Sequence, residues 1–98
     1  DIEKLRDERA QIEAEVKAAE AQKTLLEKLA RSLVDNPDAV EVESFDEDDG
    51  SLVLELTVAP DDYGQVIGRS GRTAEALRVV MRAAAAGNDQ RVVVDIVD

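Results

Sequence analysis

The sequence has no cysteine and no histidine. Without cysteine there is no disulfide and no thiolate to hold a metal, which suits a reducing cytoplasm. Without histidine the usual proton shuttle near neutral pH is missing. Acidic residues are plentiful, but none falls in an evident catalytic pairing, so no enzyme, no cofactor and no metal site is expected. Tryptophan is absent, and Phe45 and Tyr63 are the only aromatics. Base stacking on rings can therefore contribute little to any nucleic-acid affinity. No apolar run is long enough to span a bilayer, and no signal-peptide pattern opens the chain. Basic residues are also scarce, 12 against 23 acids, for a formal net charge of −11. That balance argues against a general binder of nucleic acid. Ninety-eight residues allow one domain with a modest core. The chain opens at Asp1 rather than Met, as expected of a trimmed terminus or a piece of something longer.

What is present centres on one short stretch, Val66-Ile67-Gly68-Arg69-Ser70-Gly71-Arg72. Ahead of it, Pro60-Asp61-Asp62 has the form of a helix start, because proline fits the first turn and aspartate suits the positive end of the helix dipole. Behind it, Ala74, Leu77, Val80, Met81 and Ala84 recur at helical spacing. The stretch is thus a tight turn between two helices. Gly68 and Gly71 can take positive φ or admit a close backbone. The free N–H groups that open the second helix favour an anion over the loop. Between Tyr63 and Gly87 the charges are Arg69, Arg72, Arg78 and Arg82 against Glu75. A segment of net +3 in an acidic chain, with arginine as its only base, fits a small site for a phosphodiester backbone. A Gly-x-x-Gly pair alone is most often an ordinary turn, and arginines on a helix are most often a solvated face.

Along the chain, Asp1 to about Val34 is predicted helical. Ile2, Leu5, Ile12, Val16, Ala19 and Leu26 follow alternating steps of three and four, with Arg9 and Lys23 on the same seam. This is a heptad pattern with polar breaks, and self-association through it should be weak. Thr24-Leu25-Leu26-Glu27 has the form of a capping box, yet the seam runs through it in register, so one continuous helix of roughly 50 Å is expected at 1.5 Å per residue. Asn36-Pro37 stops it. Val40, Val42 and Ser44 alternate with Glu41, Glu43 and Phe45 as a half-buried strand. Asp46 to Gly50 is a turn, and it lacks the spacing of a calcium loop. Leu52, Leu54, Leu56 and Val58 are the apolar face of a second strand. After the glycine loop and its helix, Gly87-Asn88 is a C-terminal stop, and Arg91 to Val97 is a third strand. Leu29, Leu33, Leu54, Leu56, Val66, Leu77, Val80, Val92, Val94 and Ile96 are predicted to be buried. The order helix-strand-strand-helix-helix-strand implies a two-layer α+β domain.

Gly64-Gln65-Val66-Ile67-Gly68-Arg69-Ser70-Gly71 resembles the motif of KH domains, whose Ile-Gly-x-x-Gly loop clamps backbone nucleotides. The element order is that of the type II KH fold. Leu33 to Pro37, Val58-Ala59-Pro60, Gly64 to Arg72, the alanine-rich helix end and Arg91 to Asp98 together resemble the small bacterial KH proteins of the KhpA type. The resemblance covers about residues 24–98, and residues 1–23 form a helical, coiled-coil-like extension outside it. It implies single-stranded RNA binding in the cytoplasm, a role as RNA chaperone or post-transcriptional regulator, a link to cell shape, and a second KH protein of the KhpB type as partner. Carried over by residue, Gly68, Arg69, Ser70 and Gly71 hold the backbone, with Arg72 and Arg78 beside them. Gly64, Val66, Ile67, Ala74 and Leu77 line the groove for the bases. Ala74 is smaller than the aliphatic usual there, which implies a wider or weaker groove. The alternative is an interaction or oligomerisation module that works through the N-terminal helix, with the KH fold as scaffold.

Overall fold

The computed structural model describes residues 1–88 and 90–98, without the side chains of Glu15 and Asn88. Helix α1 spans Ile2–Leu33 without a break at Thr24. Its N-terminus is capped by Asp1, whose carboxylate accepts the Glu3 N–H at 3.0 Å. A heptad repeat with good helix formers throughout propagates easily once started. The helix ends where Val34 turns extended, two residues ahead of Asn36-Pro37. At 32 residues it dominates the longest dimension of the molecule, 54 Å.

Strand β1 (Glu41–Asp46) pairs antiparallel with β2 (Leu52–Thr57), and β2 pairs in parallel with β3 (Val92–Ile96). The sheet order is β1-β2-β3, so the leucine-rich strand is central. A hairpin joins the first two strands, with Gly50 at φ +88° in its turn. There Asp49 accepts the hydroxyl and, at 2.9 Å, the N–H of Ser51, bonds that hold its carboxyl below the usual range. Parallel strands need a crossover. The crossover from β2 to β3 carries α2 (Tyr63–Ile67) and α3 (Arg72–Ala85), so the glycine loop sits inside it.

All the helices cover one sheet face. That face buries Val42, Leu52, Leu54, Leu56, Val92, Val94 and Ile96 against Leu26 and Ala30 of α1, Val66 of α2, and Ala74, Leu77, Met81 and Ala85 of α3. Three expected core positions differ. Leu29 is half-buried, and Leu33 and Val80 are exposed. The buried row of α3 steps through 74, 77, 81 and 85, which turns Val80 off the sheet. Leu33 lies in the last turn of α1, past the part of its stripe that the body covers.

The other sheet face is open. Register places Glu43 opposite Glu55 and Glu55 opposite Asp95, beside an apolar row of Phe45, Val53 and Val93. Like charges directly opposite destabilise a sheet, and this row gives the open face a negative field.

Asp62 lies in the 3-10 turn Pro60–Asp62 and is fully buried. Its carboxylate accepts the Asn36 N–H and Nδ2, each at 3.0 Å, and the Asp35 N–H at 3.3 Å. It thereby ties the exit of α1 to the entry of α2. Burial pushes its carboxyl up, but the bonds from Asn36 and Asp35 together outweigh it and leave the group below its usual range. A carboxyl lowered in the folded state stabilises fully above the ordinary range of aspartate, and that stability is lost as pH falls through this range toward the lowered folded value. Asp62→Asn puts an NH2 group among donors. The variant should be less stable at pH 7 and lose less on acidification than the parent, read as the difference between their denaturant curves at pH 7 and pH 3.5. Equal acid losses in the two would remove Asp62 from the acid limb.

Candidate nucleic-acid interface

Helix α2 runs for five residues and stops at Gly68, whose N–H donates to the Gly64 carbonyl at 2.8 Å. Gly68 adopts φ +75°, ψ 172°, a region open essentially to glycine alone. A Cβ there would collide with the Thr73 hydroxyl and come within 2.9 Å of the Thr73 backbone nitrogen. Gly68 is therefore fixed twice, by conformation and by space. Ser70 (φ 57°) and Gly71 (φ 73°) both take the left-handed conformation, and Gly71 opens α3. A Cβ on Gly71 would meet nothing within 4 Å, so only its φ favours glycine. Gly71→Ala should cost about 1–2 kcal/mol, the left-handed penalty. Gly68→Ala should cost about 3 kcal/mol or more, because strain and overlap combine. Thermal unfolding of both variants checks this, and equal costs would mean that the Thr73 contact yields freely.

No side chain caps the start of α3. Its first N–H groups and its positive dipole end are left for an anion. Arg69, Ser70 and Arg72 are exposed around that point, and Gly68 and Gly71 are half-buried. Among the five positions expected to line a groove for bases, Gly64 is exposed and Ile67 is half-buried. Gly64 leaves its surroundings empty, with no atom within 4 Å of where a Cβ would stand. Val66, Ala74 and Leu77 are buried in the core beneath the helix layer.

The arginines divide. Arg82 pairs with Glu75 at 3.2 Å. Arg78 is half-buried, and its Nε donates to the Val94 carbonyl of edge strand β3 at 3.3 Å. Arg69 and Arg72 enter no ion pair among the described residues. Of the four arginines between Tyr63 and Gly87, Arg69 and Arg72 are thus the two left unengaged among the described residues, and both stand at the glycine loop. The carboxylates of the open sheet face project from the side opposite the helices. Phe45 projects there as well, and Tyr63 packs against the core. Among the described residues no three acidic, histidine or cysteine side chains gather as metal ligands. Among the described residues no helix is long and apolar enough to cross a membrane. The sequence pattern pointed to the loop but missed Thr73 and Asp62. Thr73 had a weak signal, as a small β-branched residue five positions after Gly68. Asp62 had none beyond its place in a helix start.

The sequence profile described as "KhpA/KhpB, KH domain" matches residues 23–96. The chain is 55% identical over 76 residues to the RNA-binding protein KhpA of Halalkalibacterium halodurans, covering 78% of this chain and 99% of that protein. It is 52% identical over 75 residues to the RNA-binding protein KhpA of Clostridium acetobutylicum, covering 76% and 99% respectively. It is 53% identical over 73 residues to the RNA-binding protein KhpA of Streptomyces coelicolor, covering 74% and 87%. The profile match begins at residue 23, inside the long helix. With a mixed three-stranded sheet, a crossover that carries the glycine loop, and a profile match over most of its length, the chain belongs to the KhpA/KhpB family of KH domains.

Proposed function

We propose that the protein binds single-stranded RNA and holds its backbone at Gly68-Arg69-Ser70-Gly71. The observation that carries this is the loop itself, a left-handed turn with Arg69 and Arg72 unpaired beside the uncapped start of α3. Membership of a family whose relatives are named RNA-binding proteins supports it. Phosphate contacts position the strand, and Gly64 and Ile67 leave room for bases to lie against α2. With Phe45 on the open sheet face and Tyr63 packed against the core, base recognition is loose and affinity modest. Such a binder suits a cytoplasmic RNA chaperone or post-transcriptional regulator, alone or with a second KH protein of the KhpB type. The unit that binds is residues 24–98, with residues 1–23 as an extension.

Salt dependence tests the reading. Few phosphates can be neutralised, so the slope of log K against log salt for a short single-stranded RNA should be about 2 or less, at ~0.7 per contact. Arg72→Ala should lower the slope by about 0.7. Fluorescence anisotropy with an eight-nucleotide RNA and a duplex of the same composition gives both numbers. A slope above about 4, or equal affinity for the duplex, would point to diffuse attraction instead of a clamp.

A further inference from the structure

Ile2, Leu5, Ile12 and Val16 are 69%, 63%, 60% and 52% exposed, all on one stripe of α1. In heptad register Ile2, Arg9, Val16, Lys23 and Ala30 fall at a, and Leu5, Ile12, Ala19, Leu26 and Leu33 fall at d. The same seam is buried in the core at Leu26 and Ala30 and partly covered at Ala19. The exposed part is therefore a continuation of a packing surface, and it overhangs the hairpin end of the sheet. Between overhang and body lies a crevice lined by Ile12, Val16 and Ala19 above and by Ser44, Asp46 and Gln90 below. Four large apolar side chains on one side of the overhang give it reason to be covered.

The flanking charges decide what covers it. Glu8 lies at g, and Arg6, Glu13 and Glu20 lie at e, so acids outnumber the single base beside the exposed stripe. A parallel second copy would gain one attraction, Asp1 to the other copy's Arg6, but would set Glu8 against the other copy's Glu13 and stack Arg9 on Arg9 and Lys23 on Lys23. An antiparallel copy would set the g row, with Asp1 and Glu8, against itself. The lower wall adds Asp46, and the hairpin tip beyond it is acidic. Arg9 leans on Glu13 at 3.2 Å, but both are exposed, so the pair is weak. We propose that the exposed seam and the crevice beneath it dock an α-helix of another protein, with an apolar stripe flanked by lysine or arginine at e and g and an acid facing Arg9. This stands independently of RNA binding at the loop.

The test uses the full chain and two synthetic three-heptad peptides. Both carry Ile at a and Leu at d, with Glu at the a position that meets Arg9. One has Lys at every e and g, and the other has Glu there. Sedimentation equilibrium should give a 1:1 complex with the Lys peptide and binding weaker by about tenfold or more with the Glu peptide. Exchanging Glu8, Glu13 and Glu20 for Lys should invert that preference. Ile12→Asp makes the chain more acidic yet should abolish binding, which separates docking on the seam from plain charge attraction. Circular dichroism checks that both variants keep the fold. No complex with either peptide, equal binding of both, binding that survives Ile12→Asp, or a chain that dimerises through the seam on its own would each overturn the proposal.

Discussion

Leu56→Ala is expected to lower the unfolding free energy by about 2–5 kcal/mol, the range for a leucine truncated in a packed core. Leu56 is fully buried in the central strand, with Val42 beside it on β1 and Ile96 on β3. The truncation leaves a cavity where all three strands meet the helix layer. In a domain whose whole stability is about 5–15 kcal/mol, that is a large fraction. Val80→Ala serves as the contrast. Val80 is 44% exposed, so its loss should stay within about 0.5 kcal/mol. Urea denaturation of both variants gives the two numbers. A loss under about 1 kcal/mol at Leu56 would mean that the sheet buries the other face, and a larger one at Val80 that α3 turns a different side to the sheet.

Strict alternation made the sheet legible. Leu52, Leu54 and Leu56 can bury together only if Glu55 and Thr57 face away, and a slip of one residue would reverse every side chain. The long helix was legible from its unbroken three-and-four spacing, which outweighed the capping box at Thr24. The core list failed where burial depends on tertiary geometry. Leu33 and Val80 are as apolar as their buried neighbours, and only the angle and end point of each helix leave them in water. The glycine loop was legible as a turn, because few residues other than glycine tolerate such backbone. The separate reasons for Gly68 and Gly71 were not, since Thr73 approaches only in three dimensions. Arginine count likewise overstated the available charge. Glu75 occupies Arg82 and a strand carbonyl holds Arg78, which left two of four at the loop.

The open sheet face sharpens the electrostatic picture. Glu43, Glu55 and Asp95 stand in one row across all three strands, at a cost to the sheet. The effect is to repel a polyanion from the side opposite the helices. In a chain of net charge −11, the proposed clamp would then meet repulsion from that side, in keeping with the few phosphate contacts and shallow salt slope expected of it.

The largest functional effect is expected from Arg69→Asp combined with Ser70→Asp. Both residues are exposed on the turn and contribute nothing to the core, so folding should survive. Aspartate also tolerates the left-handed conformation that Ser70 adopts, better than most residues. The two carboxylates would stand at the uncapped start of α3, where a phosphate must approach, and like charges at contact distance cost several kcal/mol. The loss should be far greater than that of Arg72→Ala, which removes one cation and adds no repulsion. The decisive measurement is the affinity of the double variant for an eight-nucleotide single-stranded RNA, beside circular dichroism and thermal unfolding of the same sample. Binding reduced beyond detection, with spectrum and melting temperature matching the parent, is the result expected of a backbone clamp at Gly68-Arg69-Ser70-Gly71. An affinity equal to the parent's in a folded variant would contradict the clamp and leave the N-terminal helix as the functional surface.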